Sequence, residues 1–213
     1  TVDEYSTGVL VALLLTGKHP LSDIEVDTNL ALASCDVPFL IDFNDKEWSR
    51  VNKAARDVAR AMKLALGQKR FTYAFLLEDD WVACPGLLGN LFTALHRAEA
   101  VHGTNFAALR VSYGLNGILV PRTRLSSLAK HVEQRASKKP PDLAFTEWAL
   151  AQNGKLIAYR HNLFVHVGHK SAVGNSGSRW NAACFELLFD WLQKGVEAFD
   201  VTKCAHDAVS PCD

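Results

Sequence analysis

A single α/β domain with helices flanking a mixed central sheet is the fold class this sequence predicts, and three observations carry the prediction. Short apolar runs of strand length alternate with longer segments of helical periodicity. One such run, within residues 71–81 (FTYAFLLEDDW), is almost continuously apolar, as a strand covered on both faces requires, and it ends abruptly in Glu78, Asp79 and Asp80. The length of 213 residues, with 48% hydrophobic and 22% charged content, suits one globular domain with a full core.

In chain order, residues 5–15 (YSTGVLVALLL) place their larger apolar residues at helical spacings and close on Thr16-Gly17, which predicts a helix, a β-branched strand being the alternative. Residues 24–28 and 37–42 read as short extended segments. Asn44 and Glu47 form a capping-box pattern, after which Trp48, Val51, Ala55, Val58 and Met62 recur at helical spacing until Gly67. The acidic strand follows. Pro85 then precedes a helix over residues 87–101 that Gly103 ends. Residues 107–112 predict a second core strand, Tyr113-Gly114-Leu115-Asn116-Gly117 a turn, and residues 118–120 a resumed extended run.

Thr123 is placed to cap a helix reaching about Gln134, and Lys138-Lys139-Pro140-Pro141 breaks it. The next helix starts at Asp142, an acid favoured there by the helix dipole, and carries Glu147 further along. Residues 155–159 and 162–167 read as paired short strands, residues 171–178 as a polar, glycine-containing loop, and residues 180–192 as a final amphipathic helix before Gly195 and a tail over 196–213.

The chemistry concentrates at the acidic strand end. In open α/β sheets, ligands bind at the carboxyl edge of the strands. Three adjacent carboxylates repel one another, and a divalent cation with oxygen ligands relieves that repulsion. A solvated acidic turn is the alternative. The chain has 23 Lys plus Arg against 23 Asp plus Glu, so no global charge favours nucleic acid or an anionic membrane. No apolar run reaches the roughly 18 residues of a membrane span. No Gly-Lys-Ser phosphate loop and no strand-GxGxxG-helix unit is present, which excludes kinase and dinucleotide-binding readings built on those motifs. The five cysteines, Cys35, Cys84, Cys184, Cys204 and Cys212, have no metal-binding spacing. Cys204 and Cys212 could staple the tail in an oxidising compartment, or the set could be free thiols.

The LLEDDW stretch resembles the acidic metal motif of GT-A fold glycosyltransferases, whose Rossmann-like domain this alternation of elements also fits. Further likeness is to relatives of N-acetylglucosaminyltransferase IV and of the GPI-glycan N-acetylgalactosaminyltransferase. Lys139-Pro140-Pro141-Asp142-Leu143 is similar to their Lys-Pro-Val-Asp-Trp, and Val165-His166-Val167-Gly168-His169 to their Gln-His-Val-Gly-Thr-His, with Val165 and His169-Lys170 departing from it. Asn52 and Arg56-Asp57 resemble the Asn-x-x-x-Arg-Asn pattern that precedes the acidic motif. The likeness favours a helix at residues 5–15, with a first strand before Thr1.

The resemblance implies manganese or magnesium held by Asp80 and His166. It sets Glu78 and Asp79 near the ribose or the metal's waters, Arg56 near the donor diphosphate, and Tyr113 and Asn116 against a sugar. Asp142, or Glu147 by likeness to the acid of an x-Glu-Asp element in other inverting GT-A enzymes, would act as base. The implied reaction moves a sugar from a nucleotide diphosphate donor, UDP-linked, to a hydroxyl of a glycan, glycolipid or glycoprotein with inversion. The implied compartment is the lumen of the Golgi or ER, reached through an N-terminal anchor absent from this sequence. A metal-dependent phosphoryl hydrolase and a catalytically silent sugar-binding domain are the alternatives.

Overall fold

Strand β2 (Tyr73–Glu78) is covered on both faces in the computed structural model, which describes residues 9–14, 50–68, 71–78, 80–152, 156–167, 182–188 and 197–198. Successive side chains of a strand point to opposite faces. Ala74 and Leu76 therefore join one apolar cluster, and Tyr73 and Phe75 join another. The first cluster contains the buried stripes of α1 (Arg50–Leu66), α3 (Arg122–Arg135) and α4 (Pro141–Leu150). The second contains Leu91, Ala94, Leu95 and Ala98 of α2 (Leu87–His102). The sheet is thus sandwiched between a three-helix layer and a one-helix layer.

The main sheet is mixed, as expected. Its order is β1 (Val9–Leu14), β2, β5 (Ile118–Pro121), β4 (Ala108–Arg110), β6 (Leu156–Ala158), β8 (Glu197–Ala198). The β1, β2, β5 and β4 neighbours run antiparallel, while β4, β6 and β8 run parallel. A separate two-stranded ribbon joins β3 (Trp81–Ala83) to β7 (Phe164–His166).

Several local expectations change. Residues 9–14 form a strand and not a helix, paired along their whole length with β2 from Val9↔Glu78 to Leu14↔Tyr73. An all-apolar run satisfies either periodicity, and the free edge of β2 decides it. The helix α3 begins one residue before Thr123, with Pro121 at its N-cap. The strands expected to pair with each other near residues 155–167 lie in different sheets, β6 beside β4 and β7 beside β3. Residues 182–188 form turns and a bridge, His161↔Leu187, where a helix was expected. The segments at 24–28 and 37–42, the Asn44/Glu47 cap, the loop at 171–178 and the Cys204/Cys212 tail lie outside the described residues.

Candidate functional site

The carboxyl end of β2 leads directly into the ribbon, and the ribbon brings two distant predicted residues together. Trp81 pairs with His166, Val167 N–H donates to the Asp80 carbonyl at 2.8 Å, and Cys84 N–H donates to the Leu163 carbonyl at 3.0 Å. This register sets His166 Nε2 3.0 Å from Asp80 Oδ2 across 86 residues of sequence. The Trp81 ring lies 4.8 Å from the His166 ring, tilted by 50° to it. Both side chains keep part of their surface open, 26% for His166 and 38% for Asp80, so an incoming ligand can reach them. A disulfide from Cys84 to Cys184 ties residues 182–188 to this ribbon, where Ala182 and Leu188 pack with Tyr113 and Trp81.

At 3.0 Å the two side chains are hydrogen-bonded directly to each other. Neighbouring ligands of an octahedral ion bonded at about 2.1 Å would stand at a similar separation; the carboxylate is a ligand type for manganese or magnesium, and the imidazole one for zinc, copper, iron or nickel. Among the described residues no group of three His, Cys, Asp or Glu surrounds a common point. The remaining positions of such an ion would fall to water and phosphate oxygens, the usual arrangement where a divalent cation serves a nucleotide. Asp79 lies outside the described residues.

The Glu78 backbone is fixed by the 113–117 turn. Its N–H donates to Asn116 Oδ1 at 3.1 Å, Asn116 Nδ2 donates to Ser112 Oγ at 3.3 Å, and the Ser112 hydroxyl donates to Asn162 Oδ1 at 2.9 Å. Asn162 Nδ2 donates in turn to the carbonyls of Phe164 and Ala183. Ser112, Asn116 and Asn162 are each fully buried. Asn116 is therefore a structural amide and not a sugar contact, because its polar atoms are engaged within the protein. Tyr113 is likewise buried, its ring packed on Ala182 and Leu188 and its hydroxyl donating to the Leu187 carbonyl at 3.1 Å. Both were expected to face a ligand; the apolar surround and the internal acceptors pull them inward. Gly117, at φ 69°, permits this turn, since a Cβ there would stand 2.7 Å from Ser112 Cβ.

The two candidate bases on α4 differ. Glu147 accepts a hydrogen bond from Arg135 at 2.7 Å and one from Lys139 at 2.8 Å, with His131 at 3.8 Å. The Lys139 ammonium first, and Arg135 with it, hold its carboxyl below the usual range against a smaller opposing effect of burial. Such an acid is a weak base already occupied by cations. Asp142 lies in the first turn of α4 and acts electrostatically, as Glu78 does, on Arg110 at the end of β4. Burial lowers the Arg110 guanidinium to about 10, and the two carboxylates oppose that shift. Arg56 lies on the exposed side of α1, opposite its buried Ala55, Val58 and Ala59.

Sequence reasoning passed over Arg110, Trp81 and the Cys84–Cys184 bond. Arg110 did carry a signal, being the single charge inside the apolar run FAALRV. The cysteine pairing carried none, since spacing alone does not fix connectivity.

No family model matches the chain, and no solved structure matches it. Curated proteins that do match are calcium-dependent protein kinases. Calcium-dependent protein kinase 7 of Arabidopsis thaliana is 33% identical over 81 residues, which are 38% of this chain and 15% of that protein. Calcium-dependent protein kinase 8 of the same plant is also 33% identical over 81 residues and the same shares. Calcium-dependent protein kinase 8 of Oryza sativa subsp. japonica is 24% identical over 155 residues, covering 73% of this chain and 26% of that protein. The chain thus spans 15% of the length of the Arabidopsis kinases it is similar to.

Proposed function

We propose that this chain is a metal-dependent glycosyltransferase of GT-A type that moves a sugar from a nucleotide diphosphate, a UDP sugar, to a hydroxyl of a glycan, glycolipid or glycoprotein. The observation that carries the reading is the Asp80–His166 pair. Both residues were selected from sequence as partners 86 positions apart, and their side chains lie 3.0 Å from each other at the edge of the acidic strand. A manganese or magnesium ion held there would offset negative charge on the leaving diphosphate.

The protein's own residues supply the rest. Asp142 takes the proton of the acceptor hydroxyl as the new bond from that oxygen to the anomeric carbon forms and the bond from the anomeric carbon to the diphosphate oxygen breaks. Displacement from the face opposite the diphosphate inverts the configuration. Glu78, its backbone fixed by Asn116, borders the nucleotide. A secretory lumen is the compartment proposed, which the Cys84–Cys184 disulfide supports because such bonds persist in oxidising surroundings.

Isothermal calorimetry of UDP into the purified protein, with and without manganese, tests this beside an Asp80→Ala variant. The expected result is binding that needs manganese and falls by about two orders of magnitude or more in the variant, as loss of a metal ligand predicts. Phosphate transfer from ATP to a protein, with no manganese-dependent UDP binding, would replace this reading with the activity named in the kinases. Inverted product configuration by NMR is expected in any transfer detected; retention would remove Asp142 from the role of base.

A further inference from the structure

Ser112, Asn116 and Asn162 put two amides and a hydroxyl into the core with no exposure. Apolar side chains of the same shape would fill that space without loss of stability, whereas each polar partner lost there leaves a buried group unsatisfied. The three satisfy one another in a fixed order. Glu78 N–H donates to Asn116 Oδ1, Asn116 Nδ2 to Ser112 Oγ, the Ser112 hydroxyl to Asn162 Oδ1, and Asn162 Nδ2 to the Phe164 carbonyl. These four bonds run head to tail, an arrangement in which each polarises the next.

The ends of this relay stand in register with the acid–histidine pair. Glu78 ends β2 and Asp80 is two residues beyond it; Phe164 opens β7 and His166 is two residues beyond it. Two extended residues span about 7 Å, so each member of the pair stands one such step from an end of the same relay. The β3–β7 ladder sets which residues face each other, Trp81 against His166. The relay ties the point where both strands enter that ladder to the main sheet, through Ser112 just after β4. Asn162 Oδ1 also accepts Phe164 N–H at 3.3 Å, which closes residues 162–164 into a turn. Its backbone N–H donates to the Glu186 carbonyl and its carbonyl accepts from Phe185 N–H, each at 2.8 Å.

We infer that Ser112, Asn116 and Asn162 are positioning residues for the Asp80–His166 pair, acting through the backbones of Glu78 and Phe164 to keep carboxylate and imidazole at a separation that a divalent cation can enter. This rests on the metal-dependent reading and adds how the chain prepares that site. A pair already held in place needs no further ordering when the cation replaces the direct hydrogen bond. A slackened pair must be ordered at the moment of binding, which lowers affinity.

Electron paramagnetic resonance of free manganese, titrated into protein saturated with UDP, tests the inference on the wild type, Ser112→Ala, Asn116→Ala and the double variant. Each single variant is expected to weaken manganese binding about tenfold or more, as loss of a group that orients a metal ligand does. The double variant is expected to lose no more than the weaker-binding single, because either change breaks the same relay. Leu128→Ala, which opens the helix layer, is expected to lower the melting temperature and leave manganese affinity unchanged. Without metal, the amide NMR signals of Trp81 and Val167 are expected to move in the relay variants while those of α1 stay. Should Asn116→Ala not fold, Ser112→Ala against Leu128→Ala makes the same comparison. Unchanged manganese affinity in the relay variants, losses that add in the double variant, or an equal loss in Leu128→Ala each overturns the inference while wild-type binding keeps the metal-dependent reading. Failure of the wild type to bind manganese with UDP overturns that reading and this inference with it.

Discussion

The β3–β7 ribbon with residues 182–188 and the layer of α1, α3 and α4 are held by different forces. The helix layer buries a continuous apolar cluster against the sheet, from Ala55 through Leu125 to Trp148, and its surface charges close on themselves in pairs such as Lys63–Glu133 and Arg135–Glu147. The ribbon side has a small apolar cluster around Tyr113, Ala182 and Leu188, and exposes Val82, Val167, Phe185 and Leu187. It is held instead by individual pins: one disulfide, a buried amide relay, and Phe185 at φ 62° anchored by its N–H to the Asn162 carbonyl and by His161 Nδ1 to its own carbonyl. The helix layer leaves Leu64, Leu143 and Leu150 exposed but puts most of its apolar side chains into the core, and its Glu147 is taken up by Arg135 and Lys139. The pinned region retains open polar side chains at defined separations, as a site requires.

If the pins hold the ribbon, removing them should separate the two regions. The Cys84→Ala/Cys184→Ala double variant opens a link between positions 100 residues apart, a change worth roughly 2–5 kcal/mol for native disulfides. The expected outcome in denaturant unfolding is a loss of that size, with hydrogen exchange accelerated first in residues 81–84, 164–167 and 182–188 and last in α1 and α3. Uniform acceleration across both regions would abolish the distinction. Gly117→Ala is the next largest change, because a Cβ would meet Ser112 Cβ at 2.7 Å and φ 69° strains any L side chain. A loss of about 1–3 kcal/mol by thermal melting is expected, together with displacement of the Asn116 amide from Glu78 N–H.

The same division explains what could be read from the sequence. The helices were legible because their apolar stripes repeat locally: the pattern from Trp48 to Met62 yields α1 (Arg50–Leu66), and the run after Pro85 yields α2 (Leu87–His102). The acidic strand was legible for the same reason. Pairing was not, because the free edge of β2, and no property of residues 9–14 alone, makes that run a strand. In the pinned region, likeness to known motifs singles out Asp80 and His166, which the ribbon sets side by side, but the Cys84–Cys184 bond depends on a geometry that no spacing encodes. Asn116 looked like a ligand contact because turn amides on a surface and turn amides inside a core have the same letters. Arg110 alone among the overlooked residues had a local mark, a charge within an apolar strand.

The smallest expected effect lies in the closed region and separates its acid from the one at the sheet edge. The Glu147 carboxyl is held below its usual range by Lys139 and Arg135, so the unfolded chain takes up a proton there at higher pH than the folded one. Its contribution to stability is therefore complete above the ordinary carboxyl value of about 4.3 and is lost as pH falls through the lower folded value. Glu147→Gln should melt slightly below the wild type at neutral pH, and the two melting curves should converge as pH drops below about 4. Manganese-dependent UDP binding should be the same in both, since Glu147 faces α3 and its cations and not the ribbon. Convergence without any loss of UDP binding leaves Asp142 as the acid of α4 available to a substrate. A variant that keeps its stability yet loses UDP binding would place Glu147 in the site and erase the contrast between the two ends of the helix.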